Sequence, residues 1–300
     1  MFYRLLVSLL FIIAFQTTVF AQEPEKKKDV APPDTTKEKL FEKKPDVTAP
    51  VTAKEKKLEK KLSKKLYGFT QFTHETILFV KQPTKWVGRD WLKLGIVVAA
   101  TFAVMPFDEQ ITNSTQGEQR YYYNAFIEGG RIYGEWYSIG AVAGTFGIYG
   151  LLARDTSSKK IAIELLQAGL YSSLFTVALK MIVGRARPVY TDNSDTYKPF
   201  TVLDNNFNSM PSGHTTSAFA LSTVMSRHAH STVLKILAYV PAGFTMFSRI
   251  YQHKHWLSDE LPAAAIGYFV GNWVVDMHEG KRHRIKVTSM YPFGISYALN

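Results

Sequence analysis

Six apolar segments of helical length follow Tyr67, and they limit what this chain can fold into. They lie near Trp91–Phe107, Trp136–Ala153, Lys160–Val183, Ser212–Arg227, Thr232–Ser248 and Asp259–Met277. Each is about long enough to be a buried helix of a large bundle or to cross a bilayer core, which takes about 20 apolar residues. Charges such as Lys93, Glu164 and Lys235 interrupt several of them, so the pattern favours membrane embedding without requiring it. Over residues 67–280 we expect an all-α bundle of about six core helices, embedded in a membrane.

The first 21 residues have the pattern of a secretory signal. Arg4 precedes an apolar run from Leu5 to Phe15, and Val19-Phe20-Ala21 provides a small-residue cleavage site. We expect residues 1–21 to be a bacterial-type signal peptide, and an uncleaved membrane anchor is the alternative.

Residues 22–66 form a Lys- and Pro-rich tail that has too few apolar residues to offset its conformational entropy. We expect most of it to be disordered. At its end Leu58, Leu62 and Leu66 recur at one-turn intervals among lysines, which predicts a basic amphipathic helix. That helix would lie either on an anionic membrane surface or in solvent.

Charge and cysteine content exclude some classes of protein. Much of the net charge of +11 lies in the Lys-rich tail, which lacks arginine and has few aromatic residues, so we expect no nucleic-acid partner. The chain has no cysteine, which excludes disulfides and thiolate catalysis. Residues 281–300 are predicted to be a basic C-terminal tail with a short strand pair around Pro292 and Gly294.

The stretch from Asn208 to Thr216 has the pattern of a phosphate-binding turn. Ser212 is a good helix N-cap, Gly213 permits close approach of the backbone to a ligand, and an apolar helical run follows. A helix that begins here offers free N–H groups and a positive dipole end to an anion, with the imidazole of His214 beside them.

Two further stretches flank this turn. Upstream lies Lys180-Met-Ile-Val-Gly-Arg-Ala-Arg187-Pro188, and downstream lies Ser248-Arg249-Ile-Tyr-Gln-His-Lys-His255-Trp-Leu-Ser-Asp259. In order and spacing, the three stretches resemble the signature of the type-2 phosphatidic acid phosphatase family. This superfamily also includes bacterial non-specific acid phosphatases and vanadium haloperoxidases. The resemblance covers residues 180–259 and implies a helical bundle of the phosphatidic acid phosphatase type.

The residue types suit hydrolysis of a phosphate ester. Fixed positive charges and backbone N–H groups can bind the phosphate oxygens. These phosphate-binding residues are Lys180, Arg187, Ser212, Gly213 and Arg249. The resemblance further implies that His255 is the nucleophile, that His214 is the general acid and base, and that Asp259, four residues after His255, orients it. It implies no metal, and we expect Asp192, Asp195 and Asp204 to be solvated turn residues rather than a Mg²⁺ site.

Other residues in these stretches carry less specific signals. Arg185 is expected to be a surface charge or an additional site residue, and His253 a loop residue. Many family members have glycine where this chain has His253, and Lys254 adds a charge at the rim. Trp136, Trp256 and Tyr121–Tyr123 are expected to pack in the core or to form an aromatic belt at the membrane interface.

The resemblance therefore implies a phosphatase that hydrolyses phosphomonoesters or diphosphates, with lipid phosphates as substrates and membrane lipids as its surroundings. All three motifs fall on one face of the expected bundle, and Arg154, Lys159 and Lys160 fall on the other. By the positive-inside rule, the site of an exported inner-membrane protein would then face the periplasm. A soluble or peripheral periplasmic protein is the alternative. For function, the alternatives are a vanadium-dependent haloperoxidase, with vanadate as cofactor, and a non-catalytic membrane-binding protein.

Overall fold

The structure is a computed structural model that describes residues 69–115, 124–201 and 204–280. The signal peptide, the Lys-rich tail, the cluster Tyr121–Tyr123 and the basic C-terminal tail lie outside the described residues. Residues 69–85 belong to one compact unit and residues 86–280 to another. All predicted site residues lie in the second unit.

The described residues contain ten α-helices and no paired strands beyond one isolated bridge between Arg185 and Tyr197. The helices are α1 Phe69–Val80, α2 Gly88–Val104, α3 Asp108–Ser114, α4 Ala125–Tyr133, α5 Trp136–Leu152, α6 Thr156–Val183, α7 Gly213–His228, α8 Thr232–Leu237, α9 Val240–Tyr251 and α10 Leu257–His278. The predicted all-α fold is confirmed.

The six predicted segments correspond to α2, α5, α6, α7, the pair α8 and α9, and α10. One expectation of a continuous helix was wrong, because α8 ends at Leu237 and α9 begins at Val240, just before Pro241. Proline lacks the N–H that a continuing helix would need and is accommodated in the first turn of α9. The sequence analysis also missed α1, α3 and α4.

Close contact between α7 and α10 forms the centre of the second unit. Gly267 on α10 lies against the backbone of α7, where a Cβ atom would overlap the carbonyl of Thr216. Ala220, whose backbone lies at this contact, is fully buried. Because small side chains let two helix backbones approach closely, the N-termini of α7 and α10 are held in a defined relation. Helix α6 packs on both of them.

Within the described part of the chain, three segments are long and apolar enough to cross a membrane: Gly88–Ser114, Thr156–Val183 and Thr232–Tyr251. Large apolar side chains stay exposed on the outside of the bundle, for example Phe102 on α2 and Leu174 on α6. A soluble protein seldom leaves so many apolar side chains in water, whereas a bilayer accommodates them. These features are those of an integral membrane protein.

The charge that interrupts the third predicted segment is paired inside the bundle. The carboxylate of Glu164 is fully buried, and its Oε2 lies 2.5 Å from Nε2 of His228. Lys160 Nζ and His278 Nδ1 lie 3.7 and 3.6 Å from Oε1. Ionisable groups within membrane helices usually face the protein interior and pair in this way.

Candidate active site

The predicted site residues lie where four helix ends meet. Helix α6 ends after Lys180, α9 ends after Arg249, α7 begins at Gly213, and α10 begins just after His255. Thr176, near the end of α6, contacts Thr216 near the start of α7, whereas Glu164, near the start of α6, contacts His228 and His278 at the ends of α7 and α10. Helix α6 therefore runs antiparallel to both, and its C-terminus lies beside their N-termini. The opposite helix ends hold Glu164, His228 and His278.

Gly184 turns the chain from α6 into the first motif. Its φ of 59° is in the left-handed region, and its N–H donates to the carbonyl of Lys180 at 2.9 Å. A Cβ atom at this position would overlap the backbone of Lys198. Position 184 therefore requires glycine, both for its positive φ and because there is no room for a side chain. The turn directs the next residue, Arg185, into the protein interior.

Lys180 and Arg187 are held by backbone and amide oxygens. Lys180 Nζ donates to the carbonyls of Asn208 at 2.5 Å and Ser209 at 3.2 Å. Arg187 donates to Asn208 Oδ1 at 2.7 Å and to the carbonyl of Lys254 at 3.1 Å. None of these contacts is with a carboxylate, so neither side chain is neutralised by an ion pair in these contacts.

Arg249 is buried at the end of α9 and donates to the side chains of Ser248 and Gln252. Gln252 in turn donates to Glu128 Oε1 at 3.3 Å. Helix α4, which the sequence analysis did not predict, thus supports the third cationic residue of the site.

The imidazole of His255 is 3% exposed and lies at the centre of the charged groups. Burial lowers its pKa well below the ordinary value, and the charges of Arg187, Lys180, His214 and Arg249 lower it further. The contacts agree with this proximity, because Arg187 donates to the carbonyl of Lys254, next to His255, and Lys180 donates to the carbonyl of Ser209, whose hydroxyl lies 3.4 Å from Nδ1 of His255. The neutral imidazole is therefore the favoured form, and it is the form that can act as a nucleophile.

Asp259 lies on the Nδ1 side of His255, but not as a helical i, i+4 pair. His255 precedes Trp256, the N-cap of α10, and is outside the helix. Nδ1 lies 3.6 Å from Asp259 Oδ2 and 3.4 Å from the hydroxyl of Ser209, which donates to the same carboxylate oxygen at 2.5 Å. Ser209, absent from the predicted site, thus lies between the two predicted partners.

His214 lies in the first turn of α7 and contacts a carboxylate that the sequence analysis missed. Its Nε2 is 3.2 Å from Glu135 Oε1, at the N-cap of α5. Burial lowers the pKa of His214 and the contact with Glu135 opposes this effect, while the hydrogen bond from His214 holds the pKa of Glu135 below its ordinary value. The structure therefore pairs each of the two histidines with its own carboxylate.

Ser212 is the N-cap of α7, and its hydroxyl accepts from the N–H of Thr215 at 3.5 Å, as its predicted capping role requires. Helix α7 thus presents its first N–H groups, including those of Gly213 and His214, at the site end of the bundle. We call these backbone donors and the side chains of Lys180, Arg187 and Arg249 the cradle, and groups of these types suit an oxyanion.

The structure shows the positions of Arg185 and His253, for which the sequence carried only weak signals. Arg185 is fully buried, so the surface-charge alternative was wrong. His253 lies in the loop between α9 and α10 with φ of 51°, a conformation that glycine adopts at lower cost. Trp256 is 1% exposed and donates to the carbonyl of Ala186 at 2.9 Å, whereas Trp136 is 76% exposed at the site end.

Some site residues had only a weak sequence signal. Glu128, Arg131 and Glu135 are spaced three and four apart, and in the structure Arg131 pairs with both carboxylates. This spacing before an apolar helix was visible in the sequence. Asp108 had no such signal. Among the described residues no cluster of three or more His, Asp or Glu is placed to hold a metal ion.

Fold and site together define a helical-bundle protein in which two imidazoles, each beside a carboxylate, and three cationic side chains lie at one set of helix ends. Residues 162–283 match the sequence model of the PAP2 superfamily, and this part of the chain is a PAP2 superfamily domain. The predicted family is confirmed.

One curated relative, a lipid A 1-phosphatase from Porphyromonas gingivalis, is 41% identical over 75 residues. This match covers 23% of the chain and only 17% of the relative. Two solved structures are similar at 21% identity. One is Aquifex aeolicus LpxE, with a TM-score of 0.43 over 57% of this chain and 93% of that one. The other is a transmembrane PAP2 type phosphatidylglycerolphosphate phosphatase from Bacillus subtilis, with a TM-score of 0.48 over 66% and 96%.

Proposed function

We propose that this protein is a phosphatase that hydrolyses phosphomonoesters or diphosphates of lipids through a phosphohistidine intermediate. One observation carries the proposal: Nδ1 of the buried His255 imidazole lies 3.6 Å from Asp259 Oδ2, and Arg187 and Lys180 are held by the carbonyls of Lys254 and Ser209 next to it. Such an arrangement holds a neutral nucleophile against a site built for a tetrahedral anion.

Substrate binding uses the cradle. Arg187 and Arg249 donate to the non-bridging oxygens, Lys180 adds a third positive charge, and the N–H groups at the start of α7 complete the set. Since negative charge is spread over these oxygens in the transition state, donors fixed before the reaction stabilise it without reorganisation.

In the first chemical step Nε2 of His255 forms a bond to phosphorus while the bond from phosphorus to the ester oxygen breaks. His214 gives its proton to the departing oxygen, and Asp259 stabilises the positive charge that develops on His255. In the second step His214 takes a proton from water, the water oxygen attacks phosphorus, and the N–P bond breaks to release phosphate. Neither step draws on a metal ion or cofactor, and we propose that the enzyme requires none.

A lipid substrate follows from the position of the site. It lies at the ends of membrane-length helices, where an exposed aromatic side chain, Trp136, and the large apolar surface of the bundle are found. Aromatic side chains at this level suit the lipid headgroup region. The curated relative acts on lipid A, which we include with phosphatidic acid, phosphatidylglycerol phosphate and undecaprenyl diphosphate as candidate substrates.

We further propose that the site faces the periplasm of a bacterial inner membrane. Arg154, Lys159 and Lys160 lie at the turn between α5 and α6, at the helix ends opposite to the site, and such clusters usually stay on the cytoplasmic side. Since the chain has no cysteine, single cysteines can report the topology. An impermeant maleimide should label Asn193→Cys, near the site, in intact spheroplasts, and Ser157→Cys only after lysis. The reverse pattern would contradict this orientation.

The two alternatives are testable with the same protein. The only support for a haloperoxidase is the shared signature, and halide oxidation in the presence of vanadate would favour it. A non-catalytic lipid-binding protein would release no phosphate from any substrate.

The decisive experiment measures phosphate release from lipid and soluble phosphates in detergent. We expect the wild type to be active and His255→Ala to be inactive, while the matched control His253→Ala stays active. With a labelled aryl phosphate, which has a good leaving group, His214→Ala should accumulate an acid-labile phosphoenzyme that His255→Ala cannot form. A wild type as inactive as His255→Ala would overturn the proposed function.

A further inference from the structure

A buried group of charged residues lies behind Asp259, outside the cradle. The guanidinium of Arg185 donates from NH1 to Asp259 Oδ1 and from NH2 to Asp108 Oδ2, both at 2.8 Å. All three side chains are fully buried. The Nε of Arg185 donates to the carbonyl of Ser194 at 2.9 Å.

Asp108 comes from α3 and holds the start of α10 in place. Its Oδ1 accepts from the N–H of Ser258 at 2.9 Å, and its Oδ2 accepts from the hydroxyl of the same residue at 2.5 Å. An N–H in the first turn of a helix has no partner within the helix, so a carboxylate at this position satisfies it and complements the helix dipole. Asp108 thus anchors α10 one residue before Asp259.

The Asp259 carboxylate is constrained at both oxygens. Arg185 holds Oδ1, while Ser209 and the N–H of Trp256 donate to Oδ2 at 2.5 and 2.9 Å. Oδ2 is the oxygen that lies toward Nδ1 of His255. Without Arg185, Oδ1 would lose this donor, and the rotation of the carboxylate about the Cβ–Cγ bond would be limited only by the contacts at Oδ2.

The net charge of Arg185, Asp108 and Asp259 together determines how strongly these residues act on His255. If Arg185 paired with Asp259 alone, the two charges would cancel, and His255 would have no net anionic partner among the surrounding cations. The second carboxylate leaves the group with one net negative charge. In a buried site such a charge acts strongly on a neighbouring imidazole.

We propose that Arg185 and Asp108 are positioning residues for the reaction, acting on His255 through Asp259. Arg185 fixes the orientation of the Asp259 carboxylate, and Asp108 supplies the second negative charge that keeps Arg185 from neutralising it. This inference rests on the proposed phosphatase function.

The test uses opposite changes of charge in the full-length protein. The pH dependence of kcat/KM is measured for the wild type, Asp108→Asn, Arg185→Met and the double variant, on a phosphate ester that the wild type cleaves. The limb on the acidic side reports deprotonation of His255 in the free enzyme. The ionisable groups that act most strongly on His255 are Lys180, Arg187, His214 and Arg249, and these are unchanged in all variants, as is the buried carboxyl group of Glu260 beside Asp259.

We expect the acidic limb to move to lower pH in Asp108→Asn, because a negative charge is lost, and to higher pH in Arg185→Met, because a positive charge is lost. In the double variant the limb should return close to that of the wild type. In each variant kcat should fall about tenfold to a hundredfold, with a smaller change in KM, because a misplaced catalytic group costs rate more than binding. A merely structural role would not produce limb shifts of opposite sign.

Arg227 provides the matched control. It is also a paired arginine that contacts α10, and it donates from α7 to Asp276 and Glu279 at 2.8 Å, at the end remote from the site. Arg227→Met should change stability but leave kcat and the acidic limb unchanged.

If Arg185→Met does not fold, Arg185→Lys keeps the charge without the forked geometry. It should leave the limb in place and lower kcat, and wild-type kcat in Arg185→Lys would contradict the positioning role. Limbs that coincide with that of the wild type, or that move in the same direction in both single variants, would overturn the inference while the phosphatase function stands. An inactive wild type would overturn both.

Discussion

Glu135 Oε1 lies 3.2 Å from Nε2 of His214, so the imidazole that is proposed to move protons has a carboxylate partner on a different helix. Arg131 NH1 donates to the same carboxylate oxygen at 2.7 Å and fixes it. The second histidine of the site, His255, has Asp259 in the comparable position at 3.6 Å. Two imidazoles with separate carboxylates can keep different protonation states in one pocket.

Glu135→Gln should therefore move the alkaline limb of the pH–kcat profile to lower pH. His214 must be protonated to donate to the leaving group, and loss of the neighbouring carboxylate disfavours its protonated form. Arg131, Arg249 and His255 also face His214 and do not change. Near neutral pH we expect kcat to fall about tenfold to a hundredfold, within the range that general acid catalysis contributes.

The profile is measured by phosphate release in detergent, with Glu279→Gln, the same substitution at the opposite end of the bundle, as the control. An unchanged alkaline limb in Glu135→Gln would show that Glu135 does not act on the proton of His214.

Lys254→Ala should weaken selection for substrates with a second negative group. Lys254 precedes His255, and its carbonyl accepts from Arg187 at 3.1 Å, so its side chain begins beside the cradle. Burial lowers the pKa of Lys254, and the nearby charges of Arg187 and Arg249 lower it further. A diphosphate or a second phosphate of a lipid would reach this position. We expect kcat/KM for a diphosphate to fall about fivefold relative to that for a phosphomonoester, as for a partly exposed ion pair.

The check is a competition between the two substrate types at low and high salt. The control, Lys235→Ala, removes an exposed lysine from α8. Equal losses for both substrate types would contradict a role of Lys254 in selectivity.

Glu164→Ala should destabilise the bundle without changing catalysis. Glu164 is fully buried beside His228 and Lys160, and its removal leaves those groups without their anionic partner. Breaking a buried ion pair from one side typically costs about 3–5 kcal/mol. Thermal unfolding in detergent should show a lower midpoint, while kcat at a temperature where the variant is folded should equal that of the wild type. Glu164→Gln, which keeps a hydrogen-bonding side chain, should be intermediate.

Much of the fold and the cradle could be predicted from the sequence because the signals are local. Apolar runs of helical length predicted α5, α6, α7 and α10 to within a few residues, and Ser212 and Gly213 predicted the start of α7 through capping rules. The cationic and imidazole residues were found because their spacing along the chain resembles a family signature. Such signals need no knowledge of which helices touch.

What the sequence could not supply depends on contacts between distant segments. Its helical pattern indicated that this chain is an all-α bundle and named the groups of the cradle. Only the tertiary structure decided that Arg185 is buried between two carboxylates, that Asp108 reaches it from 77 residues away, and that Glu135 rather than a motif residue faces His214. The residues next to a charged side chain in the sequence can be the same whether it is exposed on the surface or buried in the core. Burial depends on partners from other helices, which only the tertiary structure shows.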